Sequence, residues 1–113
     1  MSTLLPIIDD TVLEELGQSA GEDFMAELAE TFFEEAPDML AALRQALKTG
    51  NTESFRRNAH SLKTNAHTFG ALALGALARD LELGGMPADD SGLSELEAAY
   101  AKVVVALKER IGE

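Results

Sequence analysis

Two histidines, His60 and His67, are the only imidazoles in a 113-residue chain that has no cysteine. They lie in a stretch, Arg44 to Arg79, whose ionic make-up is opposite to the rest. There, Arg44, Lys48, Arg56, Arg57, Lys63 and Arg79 meet a single acid, Glu53, for a local charge of +5. Elsewhere three basic residues and nineteen acids give −16, and the whole chain carries −11. Charge runs are commonly just solvated helix faces. An acidic chain that gathers its cations around its only histidines nonetheless offers a local anion site. A neutral imidazole placed there is a nucleophile near neutral pH.

Other chemistries fit the residues poorly. His60 and His67 are two helical turns apart, about 10.5 Å along a helix, too far for one metal ion. There is no HExxH, and no Glu-x-x-His pair of the kind that builds a di-iron site in a bundle. Ser61 follows His60 directly, and neighbours in sequence point apart on a helix. No GxxxxGK[ST] or GxGxxG is present. Hydrolysis through serine and nucleotide binding are therefore set aside, and no cofactor is expected.

The elements that carry these residues read as helices throughout. Composition is that of an ordinary globular domain, 46% hydrophobic and 26% charged. One domain is expected over residues 1–113, with its core at about 8–110. No apolar run approaches a membrane span, no secretory leader pattern opens the chain, and the acidic surface disfavours nucleic acid and anionic lipid. A cytoplasmic monomer is expected.

Residues 1–8 form a lead-in whose Leu4, Leu5, Ile7 and Ile8 can cover a bundle. Asp9 or Asp10 can cap a short helix to about Gln18. Gly21 is a break. The second helix carries Phe24/Met25, Leu28, Phe32, Ala36, Leu40, Leu43 and Leu47 on one stripe and ends at Gly50. Pro37 in its middle predicts a kink or break. Asn51 or Thr52 caps a third helix with the stripe Phe55, Ala59, Leu62, Ala66 and Phe69, closed by Gly70. Leu72, Leu74, Leu77, Ala78 and Leu81 mark a fourth, ending at Gly84-Gly85. After a loop over 86–91, the last runs from Leu93 through Val103 and Leu107 to Ile111. The fold class is all-α: an antiparallel four-helix bundle with a short extra N-terminal helix.

At about 100° per residue, Arg56, His60, Lys63 and His67 lie roughly 80–140° from the core stripe of the third helix. They form a polar ridge beside the core. From periodicity alone, Glu82 reads as a plain surface residue. Arg79 shares its face one turn earlier.

The run Ala59-His60-Ser61-Leu62-Lys63-Thr64-Asn65-Ala66-His67-Thr68-Phe69-Gly70-Ala71 resembles the signature of histidine-containing phosphotransfer (HPt) domains, A-H-x-L-K-G followed by small residues and G-A. Phe24-Met25 to Phe32-Phe33 with Ala36-Pro37 looks like the family's long second helix, and Leu81-Glu82 like its "LE". The likeness covers about residues 8 to 110. It implies that His60 accepts a phosphoryl group from one receiver-domain aspartate and passes it to another. It implies that Lys63 balances phosphate charge and that Glu82 hydrogen-bonds the second imidazole nitrogen. Thr64 stands where the family is often glycine. Thr64, Arg56, Arg79 and His67 are possible contacts to the partner, although His67 carries no expected chemistry. The partners implied are receiver domains of response regulators or of a hybrid sensor kinase, which bring their own magnesium. The docking face should be apolar near His60, with Val12, Leu13 and Leu16 as its candidates. A docking module that transfers no phosphate, suggested by Thr64, and a structural bundle with a chance motif are the alternatives.

Overall fold

The structure is a computed structural model that describes residues 6–112; Leu4 and Leu5 lie outside them. It contains α1 (Asp10–Ala20), α2 (Glu22–Thr49), α3 (Thr52–Thr68), α4 (Leu72–Leu83) and α5 (Ser91–Arg110). Short connections make α2 to α5 run alternately up and down. Each packs on the next, and α5 closes the ring against α2. α1 lies across α2 and α3. This is the expected bundle with its extra helix. Among the described residues no helix is long and apolar enough to cross a membrane.

The helix ends follow the sequence signals. Asp9 caps α1 by accepting from the Thr11 amide at 3.0 Å, and Asn51 caps α3 by accepting from the Ser54 amide at 3.0 Å. At the C-terminus of α3, the Ala71 amide donates to the Ala66 carbonyl and the Gly70 amide to the His67 carbonyl. This is a Schellman closure, and it needs Gly70 at φ +72°. The same turn receives the N-terminal segment: the Asp9 amide donates to the Gly70 carbonyl at 2.8 Å. A Cβ on Gly70 would stand 2.7 Å from the Asp9 carbonyl oxygen and 3.0 Å from Val12.

One expectation is corrected in part. α2 is not broken at Pro37 but runs through it for 28 residues. Pro37 lacks the N–H that would bond the Phe33 carbonyl. The residues on either side offset this loss by burial: Phe32, Ala36, Leu40 and Leu43 all face the core. Phe32 stacks at 5.3 Å from Phe69 and meets Tyr100 edge-on at 5.6 Å. Of the lead-in, Ile8 is buried, whereas Ile7 is 42% exposed.

The most extensive contact in the bundle is between α3 and α4. Ala59, Leu62 and Ala66 from α3 and Leu74, Gly75 and Ala78 from α4 are buried there. Small side chains bring the two backbones close. Gly75 lies directly beneath the His67 ring, where an added Cβ would stand 2.4 Å from two ring atoms.

Two substitutions test this account by urea unfolding. Phe32→Ala should cost about 3–5 kcal/mol, the usual cost of an emptied aromatic core site. Gly70→Ala should cost about 1–3 kcal/mol, because alanine is strained at positive φ. The clash with Asp9 should add local loosening of α1, visible as faster amide exchange there.

Candidate functional site

On α3 the side chains at 60, 63 and 67 project along one edge, and the close approach of α4 brings 75, 79 and 82 alongside in the opposite direction. Two contacts fix this register: His60 against Glu82, and His67 against Gly75. Glu82 sits at the centre. Its Oε2 lies 2.7 Å from His60 Nδ1, and its Oε1 lies 2.8 Å from Lys63 Nζ. The carboxylate side chain is only 10% exposed, the lysine 21% and the imidazole 55%. The Lys63 contact has the distance of an ion pair but not the angles of a good hydrogen bond, and buried Oε1 has no other donor.

The electrostatics are consistent with this arrangement. Lys63 above all, and then His60, hold the Glu82 carboxyl below its ordinary pKa despite the opposing effect of burial. An ionised Glu82 can only accept. The 2.7 Å contact therefore places a proton on Nδ1, so that the neutral ring keeps its lone pair on Nε2, on a ring open to solvent. The site is thus a nucleophilic nitrogen, held in one tautomer by a largely buried carboxylate, on a basic helix edge.

The other sequence candidates are placed as follows. Arg79 is exposed on the same stripe of α4 as Glu82 and has no hydrogen-bond or carboxylate partner among the described residues. Arg56 is exposed and paired with Glu53 at 2.8 Å. The Thr64 hydroxyl donates to the His60 carbonyl at 3.1 Å, so it is tied to its own helix. His67 is exposed, packs on Gly75, and is not brought to His60.

Two readings of the sequence are corrected. Arg44 does not belong to a free cationic patch. Its guanidinium makes a two-pronged contact with Glu97, at 2.7 and 2.6 Å, and reaches Asp90 at 3.2 Å, which ties α2 to α5. Of the proposed docking residues of α1, Leu13 is buried in the core and leaves the docking face, whereas Val12 and Leu16 are half-buried. Among the described residues, the large apolar side chains that remain exposed are Ile7, Phe24, Leu83 and Val105, and Leu83 adjoins Glu82. Helical periodicity could not single out Glu82, since its role depends on what lies across the seam.

Comparison with known proteins agrees with this geometry. A family model described as Hpt domain matches residues 27–106. The crystal structure of histidine-containing phosphotransfer protein B (HptB) from Pseudomonas aeruginosa PAO1 is similar, with a TM-score of 0.85 and 26% identity. That match covers 96% of this chain and 97% of the other. No curated protein matches the sequence significantly.

Glu82 gives the site a definite pH dependence. A carboxylate whose folded pKa is lowered contributes stability that is full above the ordinary carboxylate range and is lost as pH falls through the lowered value. In a carbon-13 NMR titration, Glu82 should protonate below the ordinary glutamate range. Protonation within that range would contradict the three-residue contact.

Proposed function

Because the chain belongs to the Hpt domain family, we propose that His60 is its phosphoryl acceptor, with Nε2 as the atom that takes the group. The protein is a histidine phosphotransfer protein of a phosphorelay. Proteins of this kind are phosphotransfer intermediates and interact with receiver domains. The observation that carries the assignment to His60 is the His60–Glu82 contact of 2.7 Å on a ring that is otherwise exposed.

The chemistry follows from that contact. The Nε2 lone pair attacks the phosphorus of an aspartyl phosphate on the receiver. An N–P bond forms, the P–O bond to the aspartate breaks, and the carboxylate leaves with the electron pair. No proton need move, since the ring keeps its hydrogen on Nδ1 and gains positive charge as the N–P bond forms. Glu82 faces that charge in place, so little reorganisation is needed. Transfer to a second receiver is the same step in reverse. In this reading the chain supplies no cofactor, and magnesium belongs to the receiver. The basic edge complements an acidic receiver site and speeds encounter. Thr64 and Arg56 lie on the rim of this contact. A cytoplasmic location goes with the reading.

The test is transfer from a panel of phosphorylated receiver domains. Wild-type protein should take label that is acid-labile and alkali-stable, and His60→Gln should take none. Label that persists in His60→Gln would move the site elsewhere. No label on the wild type from any receiver, despite binding to one, would leave a docking module.

A further inference from the structure

Resting on the assignment of His60 as acceptor, the geometry points to Lys63 as a positioning residue: it serves the Glu82 carboxylate, and the phosphoryl group's charge falls to other cations. The family resemblance gives Lys63 the phosphate. The structure gives it Glu82. Its ammonium is 2.8 Å from Oε1, a buried oxygen with no other donor. Were Lys63 to swing toward a phosphoryl group on Nε2, Oε1 would remain buried and unpaired, a costly state for an ionised group.

Exposure divides the cations in the same way. The Lys63 side chain is 21% exposed and lies on the α4 side of the ridge. The ring it supports is 55% exposed, and with Nδ1 turned to Glu82, Nε2 is left to the solvent side. Two guanidiniums near this ridge have no carboxylate partner among the described residues. Arg57 is one turn before His60 on α3, and Arg79 is one turn before Glu82 on α4. Both are exposed. A long planar guanidinium suits the oxygens of a phosphoryl group. Lys63 therefore acts through Glu82: it keeps the carboxylate ionised and aimed, which keeps the proton on Nδ1 and Nε2 free.

A double-mutant cycle on the full chain separates this role from direct contact. The rate of acceptance from a phosphorylated receiver is measured for wild type, Lys63→Met, Glu82→Gln and the pair. Lys63→Met alone should slow acceptance about tenfold, the loss expected for a charge-assisted contact. In the Glu82→Gln background it should cost almost nothing further, because the residue it serves has gone. Nitrogen-15 NMR should show His60 shifting from one tautomer to a mixture in Lys63→Met, a change that loss of packing alone does not produce. Lys63→Gln provides the same readouts should the methionine variant unfold. Arg57→Gln combined with Arg79→Gln should slow acceptance about tenfold in either background, from the lost counter-charge.

The opposite pattern overturns the proposal. If Lys63 touches the phosphoryl group, Glu82→Gln releases it for that purpose. The lysine substitution then costs as much or more in that background, while the His60 tautomer in Lys63→Met stays as in wild type. A wild-type chain that takes no label overturns the acceptor assignment itself, and this one with it.

Discussion

The close approach of α3 to α4 is the constraint on which the site depends. Two helices with large side chains at their contact stand too far apart for a glutamate on one to reach the Nδ1 of a histidine on the other. Here four of the six buried residues at the contact are small, Ala59, Ala66, Gly75 and Ala78, beside Leu62 and Leu74. Helix separation follows side-chain size at the crossing. The carboxylate of Glu82 can therefore be largely covered, reach His60 at 2.7 Å and still meet Lys63 at 2.8 Å. The packing that stabilises the bundle and the hydrogen bond that selects the tautomer are two results of one choice of small residues.

The rest of the bundle holds that pair of helices in register. Phe32 of α2 packs on Phe69 at the end of α3 and on Tyr100 of α5, so the long helix braces both neighbours. The turn at Gly70 closes α3 and accepts the Asp9 amide, which docks α1 at the α3–α4 junction. Ion pairs lie farther out and bind the periphery. Arg44 joins α2 to Glu97 and Asp90, and Arg110 joins the end of α5 to Asp10 at 2.6 Å. These exposed pairs fix orientation more than they add stability.

The net effect on charge is selective. The sequence collects six cations around the histidines, but the fold does not leave them equivalent. Arg44 is committed to α5, Arg56 to Glu53 and Lys63 to Glu82. Arg57 and Arg79 remain exposed beside the imidazole without carboxylate partners among the described residues. An approaching anionic partner therefore meets two exposed guanidiniums on the helices that carry one oriented nucleophile. Such an arrangement favours rapid encounter and release.

Much of this was legible in the residues alone. A period of 3.6 and the caps Asp9 and Asn51, with Gly50 and Gly70 as stops, locate every helix to within a few positions, because these signals act within a turn or two of chain. The prolyl ring at Pro37 misled because its local cost was weighed without the burial on either side of it. Leu13 misled in the same way: an apolar stripe does not say whether its partner is the chain's own core or another protein. His60 and Lys63 could be placed on a ridge from the sequence, and the family likeness supplied Glu82 with a role that its periodicity did not. What the sequence determined by itself was the set of helices, their buried faces and the helix that carries the nucleophile, since each depends on neighbours three or four residues away. Only the tertiary structure decided which carboxylate meets the imidazole, which cations are spent and which stay free. Those contacts join residues 22 and 53 positions apart, and no local pattern encodes what will lie across a helix seam.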